Sequence, residues 1–147
     1  MANQQQLDLL KQEVSTAWNT WREEHPDTPI TLNGVDLSEA NLSEVNLAGA
    51  DLSSANLSQA DLNNANLSQA RLVQTDLSGA NLASADLSNA DGREVNLSHA
   101  DLSGADLTRA NLQGANIREA LLEEAILEGA LITPEQLSQA QMGSDSF

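Results

Sequence analysis

Few side chains in this sequence could do chemistry, and their spacing argues against it. The two histidines are His25, at the end of an N-terminal apolar segment, and His99, at an outward position of a repeat. A metal site needs three or four converging ligands, and a triad needs a nucleophile, a base and an orienting group. Neither histidine has such partners, and Ser98 beside His99 fills an ordinary repeat slot. Asp or Asn recurs every fifth residue and could in principle hold calcium. Calcium-binding β-rolls, however, need glycine turns that bring carboxylates and carbonyls together, and that pattern is absent. There is no glycine loop for phosphate. The expectation is no catalytic, cofactor-binding or metal residue, no cofactor and no enzyme. Trp18 and Trp21 could form a ligand platform, but sealing a repeat core is the expected role.

The bulk charge narrows the partners. With 22 acidic and 6 basic residues the net charge is −16, so direct binding to nucleic acid or to an anionic membrane is not expected, since both reward basic surfaces. A protein partner of unknown identity, a basic one included, or mimicry of a polyanion stays open; such charge also serves solubility. No cysteine is present, so no disulfide framework is available. The segment Met-Ala-Asn-Gln-Gln-Gln has no basic n-region, and no 18-residue apolar run occurs. A cytoplasmic protein is the default expectation.

The positioning element is a ladder from Ile30 to Ile132. Large aliphatic residues stand at 21 positions five apart, from Leu32 to Ile132, with the one exception of Gly92. Two residues before each sits a small residue, mostly Ala. A five-residue step turns a helix by about 500°, which leaves no apolar face, and on a flat strand it alternates sides. A backbone that turns a corner every five residues instead aims every Leu at one axis. The narrow lumen then needs Ala as its second core residue. Asp, Asn and the Ser-rich pairs face solvent or satisfy turn backbone.

Ala50-Asp51-Leu52-Ser53-Ser54 and Ala60-Asp61-Leu62-Asn63-Asn64 match the motif Ala-(Asp/Asn)-Leu-X-X, and residues 30–132 resemble the pentapeptide-repeat family. The resemblance implies a mainly β fold: a right-handed quadrilateral parallel β-helix with four repeats per coil. At ~4.8 Å per rung, about five coils span ~24 Å.

A twenty-residue coil would stack i on i+20, where like charges are unfavourable. The columns Asp36-Asn56-Asp76-Asn96-Asn116 and Asn41-Asp61-Asn81-Asp101 avoid adjacent Asp, and Asp51-Arg71-Asp91-Asn111 places a cation between anions. Asn46-Asn66-Asp86-Asp106 violates the rule once. Arg71 is expected to bridge Asp51 and Asp91. Gly92 removes a core side chain, so a local distortion or small cavity is expected, with Val95 leaning in. Drift of the repeat is the favoured reading there, and a ligand pocket is the alternative.

The ends carry different signals. Residues 1–29 are expected to cap the ladder with one helix from about Gln4 to Glu24. Leu7, Leu10, Val14, Trp18 and Trp21 share its face, Asn3 with Gln6 forms a capping box, and Pro26 ends it. Residues 133–147 hold a second, short capping helix, about Pro134 to Gln141, announced by Thr133-Pro134-Glu135-Gln136. It is expected to cover Leu121, Ile126 and Leu131, which replace Asp/Asn; a dimer interface is the alternative, with a monomer expected. Gly143 to Phe147 is expected to be disordered.

The functional expectation is a non-catalytic protein-interaction or scaffold module. The alternative comes from the resemblance: some pentapeptide-repeat proteins mimic DNA and bind type II topoisomerases such as gyrase. Residues 30–132 hold 15 acidic and 4 basic side chains, or one net charge per ~2.2 Å against about one per 1.7 Å in DNA. The absence of aromatics in the ladder, and a helix blocking its end, count against mimicry.

Overall fold

The computed structural model describes residues 2–12 and 15–142. Two helices, α1 (Gln4–Leu10) and α2 (Ser15–Glu24), precede the ladder, and α3 (Pro134–Ser138) follows it. Between them the chain turns a corner every five residues, so its β structure consists of single bridges rather than long strands. Every bridge among the described residues is parallel and joins positions twenty apart, from Thr31 with Asp51 to Leu121 with Gln141. Twenty residues therefore make one turn of the coil, as the charge columns require.

Each turn is closed by a bond from the Ala-position N–H to the carbonyl of the preceding Leu, as in Ala50 to Leu47 at 3.0 Å. The residue before Ala takes a positive φ, the type II turn geometry, at fourteen non-glycine positions such as Gln69 (59°) as well as at glycines such as Gly49 (70°). Inside, Leu and Ala alternate with almost no exposure: Leu52, Leu62 and Leu82 are at 0% and Ala60 at 1%. Thr75 replaces Ala in one repeat and is fully buried. Its hydroxyl donates to the Leu52 carbonyl at 2.7 Å, so the substitution leaves no polar group stranded.

The ladder leaves one donor over in each repeat. In the repeat of residues 60–64, Asp61 N–H bonds Ala40 above, Leu62 N–H bonds Asn81 below, and Asn64 N–H bonds Ala83 below. Only the residue after Leu, here Asn63, has no backbone acceptor, and the Asp61 carboxylate accepts its N–H at 3.1 Å. This local bond recurs wherever Asp or Asn holds the motif position, from Ser38 on Asp36 to Arg118 on Asn116. The requirement for an oxygen two residues back therefore explains why the motif tolerates both Asp and Asn.

The N-terminal segment is two helices, not the single Gln4-to-Glu24 helix of the sequence expectation. A straight 21-residue helix would be about 31 Å long. The break gives the two pieces separate contacts with the first coil. Asn3 caps α1 by accepting from Gln6 N–H at 3.1 Å. The capping box is not completed, because the Gln6 side chain is buried and bonds the Pro29 carbonyl and Thr31 N–H instead, both at 2.8 Å. Along α2, Ser15 bonds the Ser43 carbonyl, Trp18 Nε1 bonds Asn46 at 2.7 Å, and Arg22 bonds Asn46 and Ala48, each at 3.0 Å. Burial lowers the Arg22 pKa from its ordinary value. The expectation for Val14 lies outside the described residues, as does that for residues 143–147.

At the other end the capping box of α3 is complete, but the helix stops at Ser138 rather than near Gln141. It stops because the chain rejoins the ladder: Gln141 N–H bonds the Ala120 carbonyl at 2.7 Å, and its own carbonyl accepts from Leu122 at 2.8 Å. So short a helix does not cover the added aliphatics. Leu121, Ile126 and Leu131 stay 39%, 49% and 50% exposed, and Leu127 and Ile132 below them are only half-buried. What α3 does contribute is chemical. Leu131 offers no oxygen to the residue two positions on, and Gln136 Oε1 takes the Thr133 N–H instead at 2.8 Å.

Gly92 leaves a residual cavity of about 10 Å³, lined by Leu72, Val95, Leu97 and Leu112 among others. A Cβ on Gly92 would lie 3.1 Å from Leu112 Cδ2 and 3.4 Å from Val95 Cγ1, so these neighbours have moved into the Leu-sized space, Val95 as expected. What remains is apolar and too small for a ligand. Restoring the motif with Gly92→Leu and Val95→Ala together should raise stability to urea by roughly 1–3 kcal/mol, and Gly92→Leu alone should gain less because Val95 occupies part of the site. A destabilised double variant would show that the core cannot reopen.

Candidate functional surface

Because the Leu and Ala side chains are consumed by the core, any site must lie on the outward columns or at the two ends. Most outward carboxylates do structural work. Asp106 accepts from the Thr108 hydroxyl and N–H, which hold its pKa below the ordinary carboxylate range, with a small contribution from Arg109. Asp36 is lowered in the same way by the Ser38 hydroxyl and then its N–H. Asp91 is lowered chiefly by the Arg93 side chain, which it pairs at 2.7 Å in the one ion pair among the described residues. The same contact raises the Arg93 pKa.

Arg71 forms no ion pair with Asp51 or Asp91, although its charge adds the smallest contribution to the lowering of the Asp91 pKa. Its Nε bonds the Ser53 hydroxyl at 3.0 Å, and Asp91 is taken by Arg93, two residues away on the same turn. Local reach wins over the rung spacing. One alternating column does form a cross-rung bond, Asn81 Nδ2 to Asp61 at 3.5 Å.

The residues singled out for chemistry stay apart. His25 stacks on Trp21 with ring centroids 4.7 Å apart and bonds the Trp21 carbonyl at 2.9 Å. His99 is exposed at a turn on a distant part of the ladder. Trp18 is 1% exposed and packs 5.3 Å from Trp21, so it belongs to the core rather than to a ligand platform. No group of three or more His, Asp or Glu among the described residues could hold a metal. No helix among the described residues is long and apolar enough to cross a membrane.

The total charge has no direction, but the twenty-residue register distributes it unevenly. One side of the coil, residues 41–45, 61–65, 81–85, 101–105 and 121–125, carries Glu44, Asp61, Asp101, Glu123 and Glu124 with no Lys or Arg. Each of the other three sides contains at least one Arg: Arg71 and Arg93 on one, Arg118 on the next, Arg109 on the last. Sorting the sequence by remainders of twenty would have found this side.

Bridges at a constant separation of twenty, a Leu/Ala lumen and outward Asp/Asn turns define a solenoid of five-residue repeats. The chain belongs to the pentapeptide-repeat family: the model described as pentapeptide repeats matches residues 31–69, 60–91 and 93–129, and the matches part at Gly92. Family membership implies a right-handed β-helix. Among solved structures, a pentapeptide repeat protein of the Arabidopsis thaliana thylakoid lumen is 29% identical, with a TM-score of 0.67, over 79% of this chain and 81% of that one. A pentapeptide repeat protein from Nostoc is 33% identical over 85% of this chain and 94% of that one, with a TM-score of 0.29. QnrB1, a plasmid-mediated fluoroquinolone resistance protein, is 19% identical over 78% of each chain, with a TM-score of 0.35. Among curated proteins, no sequence matches this chain significantly.

The depressed carboxylates give a signed pH dependence. Asp36, Asp91 and Asp106 have folded pKa values below their ordinary 3.8. Their contribution is therefore present above that value and lost as pH falls through the folded values. Asp106→Asn keeps an oxygen for Thr108 and relieves the stacking of Asp86 on Asp106. Stability at pH 7 should be unchanged or slightly higher, and the loss below about pH 4 smaller than in the wild type. Asp106→Ala removes the acceptor and should cost about 1 kcal/mol in urea unfolding at pH 7. Equal behaviour of the Asn and Ala variants would contradict the turn assignment.

Proposed function

We propose that this is a non-catalytic interaction module whose cation-free side binds a basic surface on another protein. The observation that carries the reading is the alignment of Glu44, Asp61, Asp101, Glu123 and Glu124 on one side of a backbone whose register is fixed at twenty residues. Aligned charges of one sign on a rigid frame steer and orient a complementary partner. Pentapeptide repeat proteins are generally non-catalytic, and an interaction module of this kind needs no cofactor. In this reading residues 30–132 form about five right-handed, four-sided coils, residues 1–29 and 133–147 cap them, and the protein acts as a cytoplasmic monomer. A net charge of −16 keeps copies apart.

A second reading, a DNA mimic bound by a type II topoisomerase, rests on the net charge of the ladder, close to that of DNA per unit length. Its weakness is that three of the four sides are interrupted by Arg, whereas a duplex is charged all round. Leu127 and Ile132 are only half-buried, so α3 does not wholly block the end.

The test separates the two. Asp61→Asn, Asp101→Asn and Glu124→Gln remove charge from one side while leaving the turn acceptors in place. Wild-type protein should capture a specific partner from native lysate, and the triple variant should lose it. A partner retained by the triple variant would overturn the assignment of the side. Inhibition or protection of purified gyrase in a supercoiling assay at micromolar protein would favour the second reading, and none would rule it out.

A further inference from the structure

The C-terminal rim of the coil is closed on some sides and open on one. Gln141 occupies the rim at Ala120 and Leu122, Glu119 N–H bonds the Gln139 carbonyl at 2.8 Å, and Gln136 Nε2 bonds the carbonyls of Leu112 (2.8 Å) and Ala115 (3.0 Å). Along residues 125–130 nothing comparable is present among the described residues. One coil higher, Leu107 and Arg109 donate to the carbonyls of Ile126 and Glu128 at 2.8 and 2.9 Å, and the Ala105 carbonyl accepts from Ile126. Their counterparts, the N–H groups of Leu127 and Gly129 and the carbonyl of Ala125, have no partner among the described residues.

Two more features coincide with this open rim. Ile126 is 49% exposed and Leu127 half-buried, which gives the edge apolar side chains to offer. Glu123, Glu124 and Glu128 flank them in the sequence, and residues 119–133 contain no Lys or Arg. The neighbouring cation, Arg109, is bonded to Asn89 at 3.1 Å. A cleft of about 570 Å³ opens beyond Ala130, between Gln113 and Gln136.

We infer that residues 125–130 receive an extended segment of another protein as an added rung, and that this segment alternates apolar and basic residues. An open edge supplies backbone bonds to any extended chain. Charge selects among the candidates. A second copy would bring the same glutamates and a net charge of −16, and residues 143–147 of this chain contain an Asp and no cation. A segment with Lys or Arg at alternate positions pairs its backbone with the rim, turns its apolar side chains over lumen-facing Leu127, and lays its cations outward, their aliphatic stems on Ile126 and their charges beside Glu123, Glu124 and Glu128. The inference rests on the protein-binding reading above but assigns a different surface to the contact.

The test uses the full chain, ¹⁵N-labelled, with a short synthetic peptide of alternating lysine and valine; one of alternating glutamate and valine is the control. The basic peptide should bind saturably and slow amide exchange of Leu127 and Gly129 by at least about tenfold. Glu123→Gln, Glu124→Gln and Glu128→Gln combined should weaken binding by about tenfold or more, and Ile126→Lys should abolish it while leaving urea unfolding unchanged. No binding, equal binding of the acidic peptide, or protection elsewhere on the coil would overturn the inference. So would Leu127 and Gly129 amides already protected in the free protein, whether independent of concentration, as residues 143–147 would cause, or increasing with it, as a second copy would. A lysate partner that binds without protecting these amides would leave the protein-binding reading standing and sink this one.

Discussion

The structure depends on finding an acceptor for nearly every backbone donor of the ladder. Turning a corner every five residues leaves no room for long strands, so the backbone must bond between rungs at isolated points. Three N–H groups per repeat bond the rung above or below and one closes the turn, as Asp61, Leu62, Asn64 and Ala65 show. The fifth, after each Leu, would be stranded in a half-buried corner without the Asp or Asn oxygen two residues back. Burial of an unpaired N–H costs about 1–3 kcal/mol, and the ladder has many such corners. The motif residue that looks most like a functional carboxylate is therefore first a turn acceptor.

Much of this is legible in the sequence. The five-residue period excludes helix and flat strand, and the avoidance of stacked Asp in three columns anticipates the twenty-residue register seen in the bridges. Gly92 and the accommodation by Val95 can be read because a missing Leu has a fixed neighbourhood in a repeat. What the sequence hides are contacts set by local reach. Arg71 stands between Asp51 and Asp91 in its column, yet Arg93 captures Asp91 from within the same turn. Gln6 looks like the second half of a capping box, but the rim groups at Pro29 and Thr31 claim its side chain. Propensity describes the helices as isolated objects, whereas their lengths and breaks follow the rim they rest on.

The candidate surfaces are less legible because charge composition has no direction. A net charge of −16 describes the whole chain. Only the register shows that one side lacks a cation and that the rim at residues 125–130 combines glutamates with exposed aliphatics. The same substitution of Leu121, Ile126 and Leu131 for Asp or Asn that removes turn acceptors also provides that apolar surface. Those positions leave the motif where the coil ends, which is where a partner can reach backbone.

The motif oxygen satisfies the one donor the ladder leaves over, and Arg71 provides an internal control because its side chain has no acceptor. Amide hydrogen exchange resolved by residue across one column measures this directly. Ser53, held by Asp51 at 3.0 Å, and Gln113, held by Asn111 at 3.1 Å, should exchange at least about tenfold more slowly than Val73, which follows Arg71. Val73 exchanging as slowly as Ser53 and Gln113 would contradict the account, because protection would then come from the coil alone and not from the Asp and Asn side chains.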